Sequence, residues 1–154
     1  MEALPEHIPA IAADMRQADR REVWASHRHT PAQALTFSLQ HSELAWTCLV
    51  DGTPAIMWGV ARLGSLISYK GAPWLLGTDL FFRRIPALHR EFLRQCPDYV
   101  ARMQARFPRL ENIVHAKHRS ALRWLRWLGF TVGAQTVERN GEQFFPFWKG
   151  AVWQ

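Results

Sequence analysis

Residues Glu111–Phe130, ENIVHAKHRSALRWLRWLGF, decide the fold. The β-branched pair Ile113–Val114 follows Pro108 and precedes a strongly basic segment, which predicts a short strand over 111–116. From Ser120 to Leu128 the apolar residues Ala121, Trp124, Leu125 and Leu128 recur at three and four positions, while Arg119, Arg123 and Arg126 fall on another face. That is an amphipathic helix running directly out of the strand. Gly129 ends it, because glycine enters the left-handed conformation without a steric cost, and Phe130 can fold back as an apolar plug.

Working outward toward the N-terminus, Gly71–Gly77 reads as a central strand, with Trp74, Leu75 and Leu76 as its continuous apolar run. Before it, Leu44, Trp46, Cys48 and Val50 alternate as a strand, Asp51-Gly52 closes a tight hairpin, and Ala55–Ala61 returns. Three amphipathic helices precede the hairpin, at Pro5–Met15, about Asp19–His27 and Pro31–His41, the last with Thr30 as N-cap. Only MEAL remains ahead of them for a first strand. After Gly77, Leu88, Phe92, Cys96, Tyr99 or Val100, Met103 and Phe107 keep helical spacing, and Pro97 inside that pattern predicts a kink or two abutting helices near 95–98. Beyond Phe130, strands are expected at about Thr131–Val137 and Gln143–Trp148, joined through Asn140-Gly141.

The whole chain, 1–154, reads as a single domain: 154 residues with 48% hydrophobic composition support one substantial core. Nine Gly, nine Pro and 21% charged residues exclude low complexity, and no apolar run is long enough for a membrane span. The acidic start MEALPEHIPA does not read as a secretion signal, and the cytoplasm is the expected location. Cys48 and Cys96 lack metal or disulfide spacing and read as buried thiols. The net charge of +6 is uneven: Arg83–Arg126 holds eleven Lys or Arg and three acidic residues, a net +8, leaving −2 for the rest. A basic field of that kind attracts phosphates, of a nucleotide cofactor or of nucleic acid, or is a solvated face. No nucleic-acid-binding module accompanies it. The spacings His115-x-x-His118 and His27-x-His29 lack a third ligand, so no metal site is expected.

A strand feeding a helix that ends Leu-Gly-Phe resembles the second half of the coenzyme A-binding core of the GCN5-related N-acetyltransferase (GNAT) family. That family's usual Asn, eleven residues before the Gly, is matched here by His118, its small residues by Ser120 and Ala121, and its Tyr or Phe by Leu125. More narrowly, Met15, Arg16, Asp19, Glu22, Val23 and Trp24, with Pro73–Asp79 (PWLLGTD) and Arg123–Phe130 (RWLRWLGF), resemble a GNAT-like subfamily of tailed phages and prophages, some members of which are described as internal virion proteins.

The resemblance implies an α/β fold with a mixed, mostly antiparallel sheet splayed at its centre and helices on both faces. It also implies transfer of an acetyl group from acetyl-coenzyme A to an unidentified amine. Leu75, Leu76 and Gly77 would pair with the pantetheine arm. Phe82–Ala87 would occupy the pyrophosphate position: Ile85 and Pro86 stand where the family's pattern wants small residues, Ala87 keeps the small residue at its end, Arg83 and Arg84 would compensate by charge, and His118 and Ser120 would meet the cofactor at the helix start. Asp79 and Glu22 are the carboxylates the topology places best for catalysis, with Thr78 to orient a substrate. Asp79 reads equally as an Asx-turn or capping residue, and Glu22 as half of a surface ion pair. The alternative is a phage structural or assembly protein, with virion proteins as partners, that keeps the scaffold without the chemistry.

Overall fold

The computed structural model describes residues 1–84 and 86–151, except for the side chains of Arg83 and Arg84. A 3-10 turn at Pro5–His7 leads into α1 (Ile8–Ala13), α2 (Gln17–His27) and α3 (Pro31–His41). The hairpin β1 (Ser42–Val50) and β2 (Thr53–Arg62) follows, then β3 (Lys70–Gly77) and a π-helical turn at Leu80–Arg84. The second half holds α4 (Pro86–Arg106), β4 (Arg109–His115), α5 (Arg119–Trp127), β5 (Thr131–Val132), β6 (Val137–Arg139) and β7 (Glu142–Lys149). The strands form one seven-stranded sheet in the order β1-β2-β3-β4-β7-β5, with β6 also on β7. Every pairing is antiparallel except β3–β4.

Alternation along β2 divides the core between the two faces of the sheet. Met57 joins Ile8, Ile11, Leu35 and Leu76 under α1 and α3, whereas Ile56, Trp58 and Val60 join Phe92, Cys96, Val100, Leu122 and Leu125 under α4 and α5. Asp51 (φ 49°) and Gly52 (φ 80°) make the expected hairpin turn. Thr30 caps α3, its Oγ1 accepting from the Gln33 N–H while Gln33 reaches back to the Thr30 N–H. The end of α5 is a Schellman motif: the Phe130 N–H donates to the Leu125 carbonyl, the Gly129 N–H to Arg126, and Gly129 sits at φ 89°.

Three expectations are corrected. The first helix stops at Ala13 because the Arg20 guanidinium takes the Ala12, Ala13 and Met15 carbonyls at 3.0, 3.1 and 2.7 Å. The long helix is one element through Pro97 rather than two abutting helices, and Phe92, Cys96, Val100 and Met103 keep one buried stripe on both sides of it. The strand expected at 131–137 is two short ones. Gly133 donates to the Pro146 carbonyl at 2.8 Å, but Pro146 has no N–H to return, so pairing lapses until Val137 meets Phe144. At the N-terminus Glu2 makes one bridge to Trp46, all that remains of a first strand. No helix of the described residues is long and apolar enough to cross a membrane.

Candidate active site

The parallel strands β3 and β4 meet only at Lys70↔Arg109 and Gly71↔Leu110. They then diverge into a V, and side chains replace the missing ladder. Asn112 Nδ2 donates to the Pro73 carbonyl at 2.9 Å while its Oδ1 accepts from the Ile113 N–H at 2.8 Å. At the open end α2 lies across both strands. Asp19 Oδ2 accepts from the Gly77 N–H at 2.9 Å, and Gly77 returns its carbonyl to the Arg16 N–H, also at 2.9 Å. One turn on, Glu22 Oε1 accepts from the His115 N–H at 3.1 Å. His118, at the start of α5, stands between the two carboxylates, with Nε2 3.5 Å from Asp19 Oδ1 and 3.9 Å from Glu22 Oε2.

The V encloses a cavity of about 490 Å³ that passes through the sheet. On one side it is lined by α2 and α3, on the other by apolar residues of α4 and α5, including Phe92, Val100, Met103, Trp124 and Leu125. Along β3, Pro73 and Gly77 both turn their carbonyls toward the V. Strand alternation therefore turns the N–H and C=O of Leu75 the same way.

Electrostatics separate the carboxylates. Asp19 is buried and ion-paired to Arg16 at 2.8 Å. The Arg16 guanidinium is itself stacked 3.7 Å over the Phe82 ring. Among the described residues Glu22 has no arginine partner at this distance, and loss of water raises its pKa above the ordinary carboxylate value against the opposing pull of His118 and the His115 N–H. His115 is fixed in one tautomer. Its Nδ1 accepts from the Lys117 N–H at 3.1 Å, so Nε2 carries the hydrogen that faces Glu142 at 2.7 Å. That bond, first among its causes, holds Glu142 below the ordinary range. The thiols are inert: burial pushes Cys96 up to about 12 and raises half-buried Cys48.

Of the residues singled out in the sequence, Glu22, Leu75, Leu76 and His118 line the cavity. Glu22 pairs with a backbone N–H and a histidine rather than with a surface Arg. Gly77 lies at the V, but its N–H and carbonyl are both engaged by α2. Thr78 does not join the site: it is buried, and its hydroxyl donates to the Ala55 carbonyl at 2.8 Å. Asp79 is half-buried at the turn after β3 and does not line the cavity. Ala87 is exposed in the first turn of α4, and Ser120 is exposed with its Oγ 3.4 Å from His118 Nδ1. The side chains of Arg83 and Arg84 lie outside the described residues. Sequence reasoning missed Asp19 and Asn112 as site residues. No local signal set Asn112 apart, because β4 also carries Arg109, Glu111 and His115. Among the described residues no group of three His, Cys, Asp or Glu is placed to hold a metal ion.

A seven-stranded sheet that opens between its two parallel strands, with helices on both faces, is the GNAT fold. The chain superposes on a GCN5-related N-acetyltransferase from Kribbella flavida with a TM-score of 0.67 at 15% identity, covering 98% of this chain and 96% of that one. It is similar to the ribosomal-protein-alanine N-acetyltransferase from Brucella melitensis (TM-score 0.65, 12% identity, 98% of each chain). It is also similar to a phosphinothricin acetyltransferase from Sinorhizobium meliloti in complex with acetyl-coenzyme A (0.66, 16%, 97% of this chain and 85% of that one). No protein-family model and no curated protein sequence matches the chain. At these identities the likeness establishes the fold.

Proposed function

We propose that this protein is an N-acetyltransferase that moves an acetyl group directly from acetyl-coenzyme A to an amine. The observation that carries this is the V between β3 and β4. It holds a cavity open to both sides of the sheet, with strand polar groups at Leu75 turned into it and a carboxylate of raised pKa at its end. The structural relative solved with acetyl-coenzyme A supports the same choice of donor.

The donor, when bound, supplies a thioester whose C–S bond breaks as the C–N bond forms. Glu22 takes the proton that the amine nitrogen loses, and its raised pKa makes it a stronger base than an ordinary carboxylate. His118, 3.9 Å from Glu22, passes a proton to the departing sulfur, so the transfer is balanced without another acid. This assigns His118 the part that Leu125 cannot play. Leu75 offers its N–H toward the thioester arm. Arg83 and Arg84, with Ala87 and Ser120, remain the proposed contacts of the phosphate end, where the basic field of α4 and α5 adds attraction.

One observation favours a second reading, a phage or prophage structural protein built on this fold: Asp19 and Arg16 engage both polar groups of Gly77, closing the strand end that would meet pantetheine. Calorimetric titration of acetyl-coenzyme A, followed by thiol release in the presence of an amine panel, separates the two. Binding, with release abolished in Glu22→Gln, supports the transferase. No binding at millimolar ligand, either in the wild type or in Asp19→Ala, sinks it and leaves the scaffold.

A further inference from the structure

The α2–α3 side of the cavity carries a row of rings that neither the core nor the proton transfer uses. His27 and His29 stack with centroids 5.4 Å apart and 21° between their planes. Phe37 lies 5.4 Å from His29 and 6.2 Å from His27, and His41 extends the row 4.1 Å beyond Phe37. All four line the cavity, yet His27, Phe37 and His41 are exposed, so the row forms its mouth. Phe37 is 45% exposed there. His41 is oriented by its Nδ1–H, which donates to the Phe37 carbonyl at 2.8 Å. Burial, then the charges of His29 and Arg139, lowers the pKa of His27, so its ring offers a neutral π face at neutral pH.

Deeper along α2 the same wall becomes acidic. Glu22 and His27 are five positions apart on one helix and both line the cavity, which separates them by about 7.5 Å along the axis. A molecule that gives a nitrogen to Glu22 and extends through the cavity toward its mouth therefore brings what it carries to the ring row. Two carboxylates at the inner end disfavour an anionic acceptor, and the flat rings at the outer end match another flat ring by offset or edge contact.

We infer that the acceptor is an arylalkylamine, its aromatic ring seated on the row His27–His29–Phe37–His41 and its primary amine at Glu22. The inference rests on the acyltransferase reading of this cavity and names the substrate class for it.

The test is calorimetric and NMR titration of the full-length protein with 2-phenylethylamine, with 2-cyclohexylethylamine (the same shape without the π face) and with spermidine. 2-Phenylethylamine should bind tightest, ~5-fold or more ahead of the saturated analogue, as one aromatic contact supplies. Phe37→Ala and the bulk-preserving Phe37→Leu should both erase that preference, while Glu22→Gln weakens all three amines alike. Equal affinity for the two ring compounds, tighter binding of spermidine, or unchanged preference in the Phe37 variants overturns the inference. So does tighter binding of a short peptide with an aromatic N-terminal residue, which would make the acceptor a polypeptide. A parallel titration with coenzyme A keeps the two failures apart. Coenzyme A binding without amine discrimination overturns only the substrate class. Amine discrimination without coenzyme A binding overturns the transferase and, with it, the acceptor role.

Discussion

The two ends of the β3–β4 seam are built by different chemistry. At Lys70–Gly71 the backbones pair directly, and Gly71 is packed so tightly beneath its neighbours that a Cβ there would meet Val60 Cγ2 at 2.6 Å and Phe107 Cδ2 at 2.7 Å. At Leu76–Gly77 the backbones have parted, and Asp19, Glu22 and His118 stand between them. A ladder bond is a fixed contact between neighbours. A carboxylate in its place caps one strand and still presents an oxygen to a ligand. The closed end thus gives rigidity, and the open end turns the sheet's own unpaired groups into a site.

The comparison breaks first at the open end. Glu22→Gln keeps an oxygen for the His115 N–H, so folding should survive, whereas the rate of acyl transfer should fall ~100-fold or more with loss of the base. In the wild type, kcat/KM should rise with pH on a limb displaced above the ordinary carboxylate range, because the pKa of Glu22 is raised. The sign for stability follows from the same shift. A carboxyl whose folded pKa is raised favours the fold while protonated, and that contribution is lost as pH rises through the folded value. Denaturant titrations across pH should therefore find Glu22→Gln gaining on the wild type as pH rises, and a deficit of the variant relative to the wild type that grows with pH would refute this.

At the closed end Gly71→Ala should lower stability by about 1–3 kcal/mol through overpacking against Val60 and Phe107, read as a lower denaturation midpoint. Between the two ends, Asn112→Ala removes the donor to the Pro73 carbonyl and should cost about 1 kcal/mol, with a measurable drop in thermal midpoint. Away from the seam, Glu91→Ala breaks an exposed i,i+3 pair with Arg94 and should change stability by less than about 0.5 kcal/mol in the same assay. An Asn112 effect no larger than the Glu91 effect would mean that the parted strands are held by packing alone.

The strand, helix, Gly and Phe of the organising stretch were legible because each is decided within a turn or two: apolar spacing selects the helix face, and Gly129 alone accommodates φ 89° there. Thr30, Asp51-Gly52 and Asn140-Gly141 were legible for the same reason. Reading failed where a distant partner intervened, as when Arg20 ended α1 or when Pro146 withheld an N–H from the strand opposite it. The family resemblance drew attention to Glu22, which lines the cavity from α2, and equally to Asp79 and Thr78, which follow the central strand in sequence and lie outside the cavity lining.

What the sequence determined by itself, then, was a set of elements and a core, since periodicity, caps and turn residues act over a few positions of chain. The splay and the site belong to the tertiary structure. The bond from Gly77 to Asp19 spans 58 positions and that from His115 to Glu22 spans 93. No local preference encodes such a contact. It forms because α2, packed over the parted strands, is the element near enough to satisfy backbone N–H groups that the sheet has left without a neighbour.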